Sequence, residues 1–252
     1  MTPRTAGRAV GGLFLSAFLL YGGGTFLVAS TTGGASPLPE NAASLGQLAA
    51  GATLLLLNSA AVVTIGALAY RVLWRKHRRT AVAYLATRTV EAALLALAPL
   101  GTLSLTLLTS GSAWSSDIAG SGLSGPARTL VENGESAYSI AMATWGVGSI
   151  FFCWAVLRSG LLPRFLAAWG MAGYAVFALG SVLELTGYGV GLAMSIPGGL
   201  FEIAVGCYLM AKGFRNVVPD GAASAHHPGP ISTTPTTPLA TAATSTHNSD
   251  SR

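Results

Sequence analysis

Six apolar runs, each about the length of a membrane crossing, limit this chain to one kind of fold. They occupy residues 9–30, 45–70, 81–108, 137–157, 165–186 and 192–211. Crossing the roughly 30 Å hydrocarbon core of a bilayer takes about 20 helical residues. Backbone amides in lipid must bond within their own segment, so a spanning segment without strand alternation is a helix. Charge is scarce enough to demand lipid around the protein. Only 9% of the residues are charged, against about 25% in a soluble domain. The expected fold is an all-α, polytopic bundle of six transmembrane helices over residues 1–215. A Pro-, Ser-, Thr- and Ala-rich tail over 216–252 has too little apolar surface to fold and is expected to be disordered.

The basic residues set the orientation. Arg4 and Arg8 precede the first run, and Arg71, Arg75, Lys76, Arg78 and Arg79 lie between the second and third. Arg158 and Arg164 separate the fourth and fifth runs, and Lys212 and Arg215 follow the sixth. The opposite loops hold only Arg128, together with Glu40, Asp117, Glu132 and Glu135. Positive charge collects on the cytoplasmic side, so both termini are expected inside. The first run is too long for a secretory signal core and is read as an uncleaved span. The net charge of +5 gathers at the ends of apolar runs and forms no nucleic-acid stripe. The loop Arg71 to Arg79 also suits anionic lipid headgroups, each cation contributing about 1 kcal/mol near the surface.

A few charges break the apolar pattern. Arg88 and Glu91 sit inside the third run and Glu202 inside the sixth. Intramembrane ionisable groups are costly, so they pair or serve a function. At 1.5 Å per residue, Arg88 falls about 10 Å from the cytoplasmic edge, Glu91 about 15 Å and Glu202 about 14 Å. Asn58 falls at about 18 Å on the same spacing. Residues 88 and 91, at i and i+3, share a helix face. The simplest arrangement holds Arg88 by Glu91, by Glu202 or by both. Two carboxylates against one guanidinium leave an excess negative charge, the chemistry that a proton relay or cation site needs. The same residues equally suit an ionic clasp that pins spans three and six together.

Other features read as architecture. Pro197-Gly198-Gly199 precede Glu202. They either bend or break the sixth span beside its carboxylate, as at many transporter sites, or reflect the frequency of Pro and Gly in membrane helices. Pro99 with Gly101 takes the second reading. Gly22-Gly23-Gly24, Gly146 with Gly148, and Gly170 with Gly173 offer close helix approach. Trp74, Tyr70 and Tyr84 inside, with Tyr138 and Tyr188 outside, fit interfacial belts. Glu184 falls near the outer interface, where it needs no special role. Cys153 and Cys207 imply no disulfide framework. The longest outer loop, residues 109–136, is rich in Gly and Ser. An inverted repeat of three spans per half has no support beyond the lone Glu202.

No HExxH, GxSxG or phosphate loop occurs in the sequence, and no histidine lies in a span. The four histidines, including His226-His227 in the tail, offer no credible metal site. No cofactor is expected, and the chain reads as non-catalytic. The alternative is a small-solute or proton-linked transporter using Glu91 and Glu202.

Five stretches in order resemble a bacterial membrane family, domain-of-unknown-function family 4386. Arg8-Ala9-Val10-Gly11-Gly12-Leu13-Phe14-Leu15 resembles its opening Arg-x-x-Gly-x-Leu-Tyr-Leu. Ala67-Leu68-Ala69-Tyr70-Arg71-Val72-Leu73 resembles its Ala-Leu-x-Tyr-x-Leu-Leu, and Arg88-Thr89-Val90-Glu91 an Arg-x-x-Glu in its third span. Ser159-Gly160-Leu161-Leu162-Pro163-Arg164-Phe165-Leu166 resembles its Ser-Gly-x-x-Pro-Arg-x-Leu. Pro197, Glu202, Tyr208-Leu209 and Lys212-Gly213-Phe214 resemble its final span. The resemblance implies about six helices in a bacterial cytoplasmic membrane and groups Arg88, Glu91 and Glu202 in one pattern. It carries no activity or substrate.

Overall fold

Each apolar run folds as expected, and sequential helices pack side by side into a closed ring. A computed structural model of the chain describes residues 2–31, 42–109 and 124–215. The tail at 216–252, with its His226-His227, lies outside the described residues. Among those described there are seven helices and no strand. They are α1 (Pro3–Thr31), α2 (Ala42–Leu73), α3 (Arg78–Leu95), α4 (Leu97–Thr109), α5 (Ser124–Ser159), α6 (Arg164–Leu185) and α7 (Gly191–Lys212). Six stretches are long and apolar enough to cross a membrane, with α3 and α4 together forming the third, Arg78–Ser104. The chain is an integral membrane protein by that architecture.

The ring runs α1, α2, α3 with α4, α5, α6, α7, and closes where α7 returns to α1. Its outside is apolar: Leu19, Phe26, Phe165 and Leu192 are each at least 70% exposed. So much exposed hydrocarbon needs lipid around it. Its inside is a continuous core to which every spanning stretch contributes, with Val10, Phe14, Ile65, Tyr84, Trp145, Phe152, Tyr174, Phe201 and Val205 among its members.

Pro99 departs from the sequence reading, and Pro197 resolves to one of its two alternatives. The third span is interrupted at Ala96, between α3 and α4. Pro99 has no N–H, so the carbonyl of Leu95 loses its helical donor there. The interruption is slight, since Ala96 keeps φ −76° and ψ −17° and Leu100 N still donates to its carbonyl at 3.1 Å. Pro197, in contrast, sits inside an unbroken α7. The break weighed for the sixth span is absent. Its lost hydrogen bond falls at Ala193, near the start of α7, and the helix continues.

The outer loop is also shorter than the composition suggested. Residues 124–136 belong to α5, which is 36 residues long and therefore spans about 54 Å. Pro126 lies in the first turn, where a missing N–H costs little, and nothing downstream stops the helix. Glu184 has a definite task at that outer end. Its Oε2 accepts the backbone N–H of Gly191 at 2.6 Å, which satisfies an orphan donor in the first turn of α7.

The opposite end of the ring gathers the basic residues, as an even number of crossings requires. Gly160, at φ 64°, ends α5 in a left-handed turn with Leu161 N donating to Val156 O, and Pro163 opens α6. Arg215 N then donates to Leu161 O at 3.0 Å, and Arg8 reaches Ala211 O at 3.4 Å. The motif residues at 8, 159–166 and 212–214 thus meet at one end. Arg78 lies over Trp74 at 4.3 Å and Arg158 over Trp154 at 5.3 Å, with His77 edge-on to Trp154.

Candidate functional site

Arg88 projects from α3 into the centre of the ring, where it is held mainly by its own helix. Its Nη1 donates to both carboxylate oxygens of Glu91, at 3.0 and 2.8 Å, and its Nε donates to the Tyr84 hydroxyl at 3.0 Å. Positions 84, 88 and 91 share a face because helical neighbours recur at three and four residues. Arg88 and Glu91 are each only 2% exposed. Aromatic faces surround the guanidinium: Trp145 at 5.3 Å, Tyr84 at 5.4 Å and Phe14 at 5.8 Å. Away from water such cation–π contacts contribute about 2 kcal/mol. Tyr84 itself stacks on Phe152, with centroids 4.6 Å apart.

Glu202 belongs to the same interior but to a different bond. Its Oε1 accepts the Tyr174 hydroxyl at 2.8 Å, joining α7 to α6. It forms no ion pair with Arg88 among the described residues, although the two interact through space. The ion pair at this site is Arg88 with Glu91. The expected ionic pin between spans three and six is therefore not a direct contact. Trp145 of α5 stands between the halves, packing on Arg88 and, at 5.3 Å, on the Tyr174 ring.

Arg88, Glu91 and Glu202 do share one interior, but Asn58 does not join their bonds. It is buried, yet bonded to none of the three. The register of α2 explains this. Gly66 is the residue against Arg88, so close that a Cβ there would lie 2.8 Å from the arginine Cβ. Asn58, eight residues further along, is displaced by about 12 Å toward the outer side.

Tyr84, assigned above to an interfacial belt, is 1% exposed and bonded to Arg88. Its i, i+4 relation to Arg88 was the available sign. Nothing in one sequence pointed to Trp145 or Tyr174, which come from other helices. Gly148 is tight against Thr87, and Gly170 against Phe201 and Cys153, as helix-approach sites. Gly22 meets nothing within 4 Å. Cys153 is buried, Cys207 is exposed, and both are free.

The family model described as domain of unknown function (DUF4386) matches residues 9–213. The chain belongs to the DUF4386 family. The match starts within α1 and runs to the turn after α7, so it includes all three cluster charges of this DUF4386 chain. No curated protein and no solved structure matches this DUF4386 chain.

Replacing Tyr174 with Phe removes the one described donor to Glu202 and keeps the ring packing. The expected cost is about 1–3 kcal/mol, that of leaving a buried polar group unsatisfied. Thermal melting of the purified protein checks it; an unchanged midpoint would mean that the hydrogen bond contributes nothing.

Proposed function

We propose that this chain is a non-catalytic multi-pass protein of a bacterial cytoplasmic membrane, with both termini inside. In this reading its buried polar cluster is the clasp that fixes the helix ring. The observation that carries the reading is the closure of the site. Arg88 and Glu91 are walled by Phe14, Tyr84 and Trp145 and are almost wholly buried. The charge-assisted contact of Arg88 Nη1 with both Glu91 oxygens, together with Nε on Tyr84, compensates part of the cost of burying the charges. The sidedness rests on the positive-inside distribution of Lys and Arg. Lipid contact at the basic end follows from the same charges: Arg71, Arg75, Lys76, Arg78 and Arg79 offer headgroup phosphates an attractive surface.

A proton-linked or small-solute transporter using Glu91 and Glu202 is the second reading. It rests on Glu202, a buried carboxyl with no cation bonded to it among the described residues. The interruption at Ala96, five residues beyond Glu91, adds to it.

Thiol labelling separates the two. A single cysteine at 202 (Glu202→Cys, with Cys153→Ala and Cys207→Ala) is probed by a membrane-impermeant thiol reagent from each side of oriented vesicles. The clasp reading expects protection from both sides in protein that still folds. Labelling from either side would replace it with the transporter reading and direct the next assay to pH-dependent flux.

A further inference from the structure

The cluster holds more hydrogen-bonding capacity than the protein fills. Trp145 Nε1 and Ser149 Oγ, one turn apart on the inner face of α5, are buried side-chain atoms with no protein partner. Trp145 is 9% exposed and Ser149 1%. Arg88 uses Nε and Nη1, leaving Nη2 without a described partner, and Glu202 uses Oε1, leaving Oε2. The residues that carry these atoms are joined by a line of contacts. The Trp145 ring touches both the Arg88 guanidinium and the Tyr174 ring, and Tyr174 bonds Glu202. Ser149 sits between Trp145 and Cys153 on the same helix face, and Cys153 in turn adjoins Gly170 and Phe201 beside Glu202.

Buried polar atoms without partners are rare, because each costs about 1–3 kcal/mol. Two of them one turn apart, on the helix that packs against Arg88 and against the Tyr174 partner of Glu202, are hard to reconcile with a dry interior. Their chemistry also limits what fills the site. Trp145 Nε1 and Arg88 Nη2 only donate, Glu202 Oε2 accepts when ionised, and Ser149 Oγ does either. The complementary species is small, neutral and both donor and acceptor, which describes water. A buried water typically makes about three such bonds.

We propose that a bound internal water bridges Arg88 and Glu202 and is held by Trp145 and Ser149. It joins the Arg88–Glu91 pair of α3 to the Glu202–Tyr174 pair of α7 and α6. The two pairs, which have no direct bond, then act as one network across the ring. This deepens the clasp reading by supplying the link that the missing ionic pin leaves open.

The test uses full-length protein in nanodiscs with its tryptophan indoles labelled with 15N. The chain has five tryptophans, and the Trp145 signal is assigned as the one lost in Trp145→Phe or, should that variant not fold, as the one shifted most by Ser149→Ala. The expected result is a cross-peak between the Trp145 indole proton and a long-lived water, weakened or lost in both Ser149→Ala and Glu202→Gln. No water cross-peak at Trp145 in folded protein would overturn the proposal, as would a cross-peak indifferent to both substitutions. Complete exchange of the indole proton within the dead time of dilution into D2O would also overturn it, by showing bulk water at the site. Thiol labelling at 202 reports bulk access only. The clasp reading can therefore fail while a bridging water is found, or stand without one.

Discussion

Arg88→Leu is expected to destabilise the protein by about 3–5 kcal/mol, the cost of removing one partner from a buried ion pair. Arg88 is fully enclosed and supplies the one cation bonded to Glu91 among the described residues. The substitution leaves a carboxylate in the ring with neither counter-charge nor donor, removes the donor to Tyr84, and vacates the face of Trp145. For a chain of this size the loss corresponds to a fall in melting temperature on the order of 10 °C. Glu184→Gln is the control. That side chain is exposed and serves Gly191 at the outer surface, and glutamine retains an acceptor oxygen, so its effect is expected within about 0.5 kcal/mol. The double variant Arg88→Leu with Glu91→Leu should recover a large part of the loss, since apolar replacement of a whole buried pair is often nearly neutral. Equal shifts for Arg88→Leu and Glu184→Gln in detergent melts would remove the buried-pair argument altogether.

How much of this was legible beforehand depends on the range of the interaction. The six crossings were readable because hydropathy over about 20 residues integrates many small terms. Arg88 with Glu91 was readable because both sit on one helix, where spacing alone sets contact. Glu202 was flagged by its transfer cost, but its partner was not. Tyr174 lies 28 residues away, and hydropathy says nothing about which faces of α6 and α7 meet. Depth arithmetic alone draws Asn58 into the cluster. Depth assumes that every helix starts at the same plane, whereas close packing of Gly66 on Arg88 sets the register of α2. Pro99 and Pro197 looked alike as residues. Only Pro99 coincides with a helix interruption, at Ala96. A lost hydrogen bond is therefore a local permission to break and not a requirement.

The adjacent glycines of α1 give the sharpest packing test. A Cβ on Gly11 would lie 2.6 Å from the Gly206 carbonyl oxygen and 2.7 Å from the Met210 nitrogen, both backbone atoms of α7. Backbone cannot rotate away as a side chain can, so Gly11→Ala has to push α1 off α7 where the ring closes. Overpacking of this kind typically costs about 1–3 kcal/mol, and the upper part of that range is expected because Val10 and Phe14 of the same helix are core residues. A Cβ on Gly12 meets nothing within 4 Å. Gly12→Ala should then be neutral or stabilising by up to about 1 kcal/mol, through the better helix propensity of alanine. Two neighbouring, chemically identical substitutions are thus expected to move the melting temperature in different directions. If both stabilise, α1 does not pack on α7 through Gly11 and the ring is open there. If both destabilise, the space beside Gly12 is not open and the rotation of α1 about its axis must be revised.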